Sequence, residues 1–228
     1  MKKFELTTEF ITNAFGKKLF RIKALVEFGD VKAGELGGYV EKEGNVSQAD
    51  NAWVSGDARV YGDARVSGNA RVSGNAWVYG NARVSGDARV YDNAWVSGDA
   101  RVYGDARVSG NAWVSGDARV YGDAWVSGNA WVSGNAWVSG NARVSGDAEV
   151  SGDADYALVQ GFGTEFRCTT FYRGKNKKIM VNCGCFHGDL EGFRKQVKET
   201  RNGKIAKEYL MIADLMEYHF TSEDSSNE

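Results

Sequence analysis

Proline is absent from this 228-residue chain, and its two histidines, His187 and His219, both fall late in the sequence. The scarcity of imidazole bears directly on chemistry. A site with three histidine metal ligands cannot be assembled, and no histidine general base lies in the first 186 residues. The three cysteines, Cys168, Cys183 and Cys185, are an odd number that suits a reducing compartment better than a disulfide scaffold. Neither sign of charge is in excess. A net charge of −2 leaves no electrostatic footprint for long nucleic acid. No apolar run reaches the roughly 20 residues of a membrane span, and Met1-Lys2-Lys3-Phe4-Glu5 opens no signal-peptide core. These absences predict a cytoplasmic protein that makes no membrane contact.

Glycine is abundant, with 29 residues, and most of it is in register. From Asn51 to Tyr156 a six-residue unit, Asn/Asp-Ala-Trp/Arg-Val-Ser/Tyr-Gly, repeats without insertion or deletion. Valine returns every sixth residue from Val54 to Val150, seventeen times in succession, with an alanine two residues before each. A short fixed period marks a solenoid, in which each unit buries its apolar side only by stacking on its neighbours. Alternation supplies a strand, and Gly followed by Asp or Asn supplies a corner, because these residues tolerate left-handed backbone. Asp92 replaces the corner glycine once and is read as a left-handed aspartate. Val40, Val46 and Val54 are read as the first coil, with a two-residue excess near Asp50.

The motif Val-Ser-Gly-Asp-Ala-Arg resembles the hexapeptide repeat of left-handed parallel β-helix proteins, in which three hexapeptides make one coil of eighteen residues. The resemblance implies the hand, a triangular section and, commonly, a trimeric assembly. In steps of eighteen the outward residues sort into three faces. One runs Trp53, Arg71, Arg89, Arg107, Trp125, Arg143. The next runs Arg59, Trp77, Trp95, Trp113, Trp131, Glu149. The last runs Arg65, Arg83, Arg101, Arg119, Trp137, Asp155. The candidate interface and binding residues are therefore the Trp77, Trp95, Trp113, Trp131 stack, the Arg65, Arg83, Arg101, Arg119 column, and the Tyr103–Tyr121 pair, with Tyr61 and Tyr79 as a second pair. Asn75, Asn93, Asn111 and Asn129 should form a parallel amide ladder, and aspartates beside the arginines should offset their mutual repulsion.

Residues 1–39 read as a β-hairpin cap, 40–156 as the β-helix, 157–220 as a small ββαα module and 221–228 as a disordered tail. In the module, Phe166–Tyr172 and Lys178–Cys185 are the strands, Asp189 caps a helix carrying Leu190, Phe193 and Val197, and a second helix follows Asn202-Gly203 with Ile205, Tyr209, Ile212, Leu215 and Met216 apolar. The segment Asn182-Cys183-Gly184-Cys185-Phe186-His187-Gly188-Asp189-Leu190 resembles a domain recurring at the ends of phage and prophage proteins. Phe20–Leu25 with Gly29–Gly38 resembles the head of phage-type hexapeptide-repeat proteins, a group often labelled as transferases on the repeat alone; for such a protein the compartment would be the host cytoplasm.

Function is read as non-enzymatic: a self-associating binding or scaffold protein that engages a partner through its tryptophan and arginine ladders, with no cofactor and no metal. Two alternatives stand beside it. One is a counter-defence protein that sequesters a small nucleotide or inhibits a host protein, since indoles stack bases and guanidiniums hold phosphates. The other is acyl transfer, disfavoured because the rod holds neither histidine nor loop. A zinc site from Cys168, Cys183, Cys185 and His187 is disfavoured by spacing.

Overall fold

The computed structural model describes residues 2–221. The tail expected at 221–228 therefore lies, beyond Thr221, outside the described residues. Mainly β, the molecule is a solenoid of parallel sheets with antiparallel strands before it and a β-sheet plus two helices after it.

Strands β1 (Phe4–Thr12) and β2 (Lys18–Ala24) pair antiparallel, as the hairpin expectation has it. Their turn is held by Asn13, whose Oδ1 accepts from the amides of Phe15 and Lys17. The cap is larger than a hairpin. Strand β3 (Leu36–Val40) pairs antiparallel with β2 on one side and parallel with Arg59–Val60 on the other, so the cap continues straight into the rod. Gly37 makes this join possible, since a Cβ there would sit 2.6 Å from Val54 O and 2.7 Å from the Trp53 ring. Lys3 is sunk into the same seam. Its ammonium donates to Asp50 O at 2.6 Å and Ala52 O at 2.8 Å, and burial pulls its pKa down to about 8.

The rod consists of two-residue strands that pair in register with those eighteen residues away, as Trp95 does with Trp77 and Trp113. Three parallel sheets result. The first holds Arg59, Trp77, Trp95, Trp113, Trp131 and Glu149 and has nine strands once β1–β3 are included. The second holds Trp53, Arg71, Arg89, Arg107, Trp125 and Arg143, and the third Arg65, Arg83, Arg101, Arg119 and Trp137. Asp155 leaves the third set: it lies in a 3-10 turn, accepts from the amides of Ser151 and Gly152, and pairs with Arg173 at 2.9 Å. Val40, Val46 and Val54 align with Val60, Val66 and Val72, which makes them the first coil. Every valine from Val54 to Val150 is buried, as is every alanine from Ala52 to Ala148. Each valine so buried contributes roughly 1.5–3 kcal/mol as an upper bound.

After the rod, four strands rather than two form an antiparallel sheet: Tyr156–Phe162, Arg167–Arg173, Ile179–Cys183 and Phe186–Asp189. Gly184, in left-handed backbone at φ 62, turns the chain and divides the segment expected as one strand. Asp189 caps α1 (Leu190–Thr200) by accepting from Gly192 N at 2.9 Å, and Leu190, Phe193 and Val197 are buried as expected. In α2 (Gly203–Thr221) the buried face is Tyr209, Ile212, Ala213, Met216 and Phe220, whereas the apolar Leu215 is 58% exposed. Among the described residues, no helix is long and apolar enough to cross a membrane.

Candidate functional site

The first sheet carries the tryptophan stack. Trp77 and Trp95 lie 4.9 Å apart between ring centroids with 6° between planes, Trp95 and Trp113 4.9 Å apart with 28°. Trp131 turns edge-on to Trp113 at 5.6 Å. The column is continued toward the N-terminus by Arg59, whose guanidinium lies 4.8 Å over Trp77. Trp77, Trp95, Trp125, Trp131 and Trp137 also lean across the previous coil onto the residue sixteen positions earlier. Where that residue is tyrosine, the rings meet edge to face, as Trp77 does with Tyr61 and Trp95 with Tyr79. Where it is serine, the indole N–H donates to the hydroxyl, as from Trp131 to Ser115 and from Trp125 to Ser109. This lean half-buries Trp77 and Trp95, while Trp113 and Trp131 are 38% and 48% exposed.

The outward status of Trp53 is corrected. The cap seals it to 2% exposure, with Phe4 and Phe28 edge-on at 6.2 and 5.4 Å.

On the third sheet Arg65, Arg83, Arg101 and Arg119 stack in register. Asp63 and Asp99 line the groove beside them, Asp63 being ion-paired to Lys42 at 2.8 Å, and Arg119 lies 4.6 Å over Trp137. Tyr103 and Tyr121 are parallel at 5.0 Å. The amide ladder is present and directional. Asn75 donates to Asn93, Asn93 to Asn111 and Asn111 to Asn129, at 3.1–3.2 Å, and Asn129 to the carboxylate of Asp147 at 3.0 Å.

Sequence reasoning missed a cleft of about 750 Å³ where the C-terminal sheet overlies the last coils on the second sheet. The junction is closely bonded. Arg143 N donates to Thr170 Oγ1 at 3.0 Å, and the Asn182 amide nitrogen donates to Arg143 O at 2.7 Å. Lys175 N reaches Asp147 O at 3.0 Å. Fully buried Tyr172 plugs the end of the valine core and donates to Ser145 O at 3.2 Å, and burial pushes its pKa up.

His187 is outside the rod in sequence but against it in space. Its Nδ1 is 2.6 Å from Asn182 Oδ1 and 3.5 Å from Ser145 Oγ. Because Arg143 O can only accept, the Asn182 amide must face it with nitrogen. Oδ1 therefore faces the imidazole, and Nδ1 donates to it. Cys168 and Cys185 line the same cleft, whereas Cys183 lines a second cavity beside α1 and accepts from Thr169 Oγ1 at 3.1 Å. Burial raises the Cys168 pKa, which keeps it a thiol. No group of three or more metal-ligating side chains gathers among the described residues. The signal for the cleft was the pairing of Asn182 with His187 across a two-residue turn, legible once Gly184 is read as a turn.

The YdcK beta solenoid repeat matches residues 64–80, 78–90, 82–98, 100–116, 114–128, 118–134 and 136–152. Over these residues the rod is similar to the YdcK β-solenoid repeat. The matched span covers most of the sheet surface bearing the tryptophan and arginine columns and stops short of both the N-terminal cap and the C-terminal module. Among curated proteins no match is found. The likeness concerns the solenoid fold of about six turns, and a fold of this kind does not by itself specify a function.

Proposed function

We propose that the protein is a non-enzymatic binding or scaffold protein of the phage or prophage type, a left-handed hexapeptide β-helix that self-associates through its tryptophan face. The observation that carries this reading is the unbroken aromatic stripe on the first sheet. It runs from the half-buried Tyr79, Trp77 and Trp95 to the exposed Trp113 and Trp131. Tryptophan is the residue most enriched at interface hot spots, and contiguous apolar surface of this kind marks interaction sites. A second copy of the chain is the occupant proposed. A net charge of −2 sets little repulsion between copies, and a column of identical rings is complementary to itself when two rods meet face to face. The trimers common among hexapeptide β-helices point the same way, and the arginine column with Tyr103 and Tyr121 is then left for a partner such as a host protein.

Multi-angle light scattering tests the interface. The mass of the wild-type protein should be a multiple of 24.9 kDa and fall to that value in Trp113→Ser plus Trp131→Ser. A wild-type monomer, or an unchanged mass in the variant, ends the proposal. The transferase alternative rests on His187 as the base. Acetyl-CoA turnover that disappears in His187→Ala would replace the non-enzymatic reading.

A further inference from the structure

We infer that the cleft between the second sheet and the C-terminal module binds a small planar organic anion, of the size of a nucleoside monophosphate or an aromatic carboxylate. This site is on a different sheet from the proposed self-association face and stands independently of it.

Electrostatic composition separates this cleft from the other grooves of the rod. The groove around Arg71, Arg89 and Arg107 is lined by Asp30, Asp87 and Asp92, and Arg71 is ion-paired to Asp30. That along Arg65, Arg83 and Arg101 contains Asp63 and Asp99. By contrast, the C-terminal cleft is lined by no carboxylate, although the chain carries 30 acidic residues. Its single guanidinium, Arg143, has no carboxylate partner among the described residues. An unneutralised cation in an acid-free concavity favours an anion, and the partial exclusion of water there strengthens the attraction relative to an open surface.

The remaining lining fixes what kind of anion. Trp125 presents an indole whose N–H is already bound to Ser109 Oγ at 3.2 Å, so the ring is held and its apolar faces are what it offers a ligand. The Arg143 guanidinium lies 6.0 Å from that ring, at the outer limit of cation–π contact, and is free to turn toward a ligand. A ligand that uses both groups needs a flat body next to its charge. Around them the side-chain amides of Asn141 and Gln160 line the cleft, and Ser127 adds a hydroxyl. These are donors and acceptors suited to the ring substituents of a base or the hydroxyls of a sugar. Asn182 is not among the binding groups. Its amide is spent on Arg143 O, Ser145 and His187, so it holds the wall of the cleft in place. The volume of about 750 Å³ falls within the range of small-molecule clefts.

Isothermal titration of the full chain with AMP, UMP and benzoate tests the assignment, with adenosine and inorganic phosphate as half-ligands. At least one planar anion should bind, and the corresponding half-ligands should bind about tenfold more weakly or worse. Arg143→Gln and Trp125→Thr should each weaken binding by about tenfold or more while the melting temperature stays close to wild type. If either variant is poorly folded, Asn141→Leu, at an exposed amide, replaces it and should also weaken binding. The inference is overturned if none of the three anions binds up to about 10 mM, a level corresponding to less than 3 kcal/mol. It is equally overturned if Arg143→Gln binds as tightly as wild type, or if inorganic phosphate binds as tightly as AMP.

Discussion

At the scale of single residues, the corners of the rod are where one atom decides most. Gly110 sits in left-handed backbone at φ 67, and a Cβ there would lie 2.9 Å from Gly128 O in the next coil. Gly110→Ala should therefore cost roughly 1–2 kcal/mol for the backbone alone, and more from the inter-coil clash, as a lowered urea midpoint. Asp92 occupies the equivalent corner at φ 61 and compensates with a hydrogen bond, its Oδ2 accepting from Gly110 N at 3.1 Å. Asp92→Gly removes the strain and the bond together, so its midpoint should stay within about 1 kcal/mol of wild type. Tyr61 gives the residue scale a pH signature. Burial, the largest cause, raises its pKa from 10.0 to about 12. The folded state holds the phenolic proton more tightly than the unfolded chain, so this contribution is present below pH 10 and is lost as pH rises to about 12. Thermal melts of Tyr61→Phe should decline less steeply than wild type across that window; identical slopes would remove Tyr61 from the account. These corners were legible in sequence because glycine at a fixed phase has a single physical use. Burial of Tyr61 and Trp53 was not, because it is imposed by the neighbouring coil and by the cap.

At the scale of elements, the rod was legible because its period of six divides the coil of eighteen, so the faces follow from counting once the coil is known. The C-terminal sheet lacked such a period. Its hairpin at Gly184 depends on a single left-handed glycine, and the cleft beside it depends on that hairpin bringing His187 back to the last coil. The amide ladder makes a directional prediction. Asn111 accepts from Asn93 and donates to Asn129, whereas Asp147 at the end of the ladder only accepts. Asn111→Asp keeps the first bond and sets two oxygens against each other at the second, so it should cost about 1 kcal/mol. Asp147→Asn retains its acceptor and should be close to neutral. Urea titrations of the two isosteric variants check the asymmetry, and equal effects would show that the ladder's direction carries no energy.

For the whole molecule, the question is how a rod with open ends stays closed. At the start, β1–β3 extend the first sheet while Phe4 and Phe28 pack on Trp53. At the finish, Tyr172 fills the last cross-section of the valine core, and Thr170 and Lys175 take up the amide of Arg143 and the carbonyl of Asp147. Because each coil bonds only to its neighbours, damage at one end should stay near that end. Tyr172→Ala removes a fully buried aromatic ring and should cost roughly 3–5 kcal/mol at the site. Hydrogen exchange locates the loss. The amides of Trp125, Ser127, Trp131 and Ser133 donate to the carbonyls of Ala142, Val144, Ala148 and Val150 in the last coil, and these should exchange faster in the variant. Ser85 and Asp87, which donate to Val102 and Gly104 in mid-rod, should keep wild-type protection. Acceleration of all these amides by the same factor would mean that the rod opens as one cooperative body, and the cleft at Arg143 would then depend on the stability of every coil rather than on the last two.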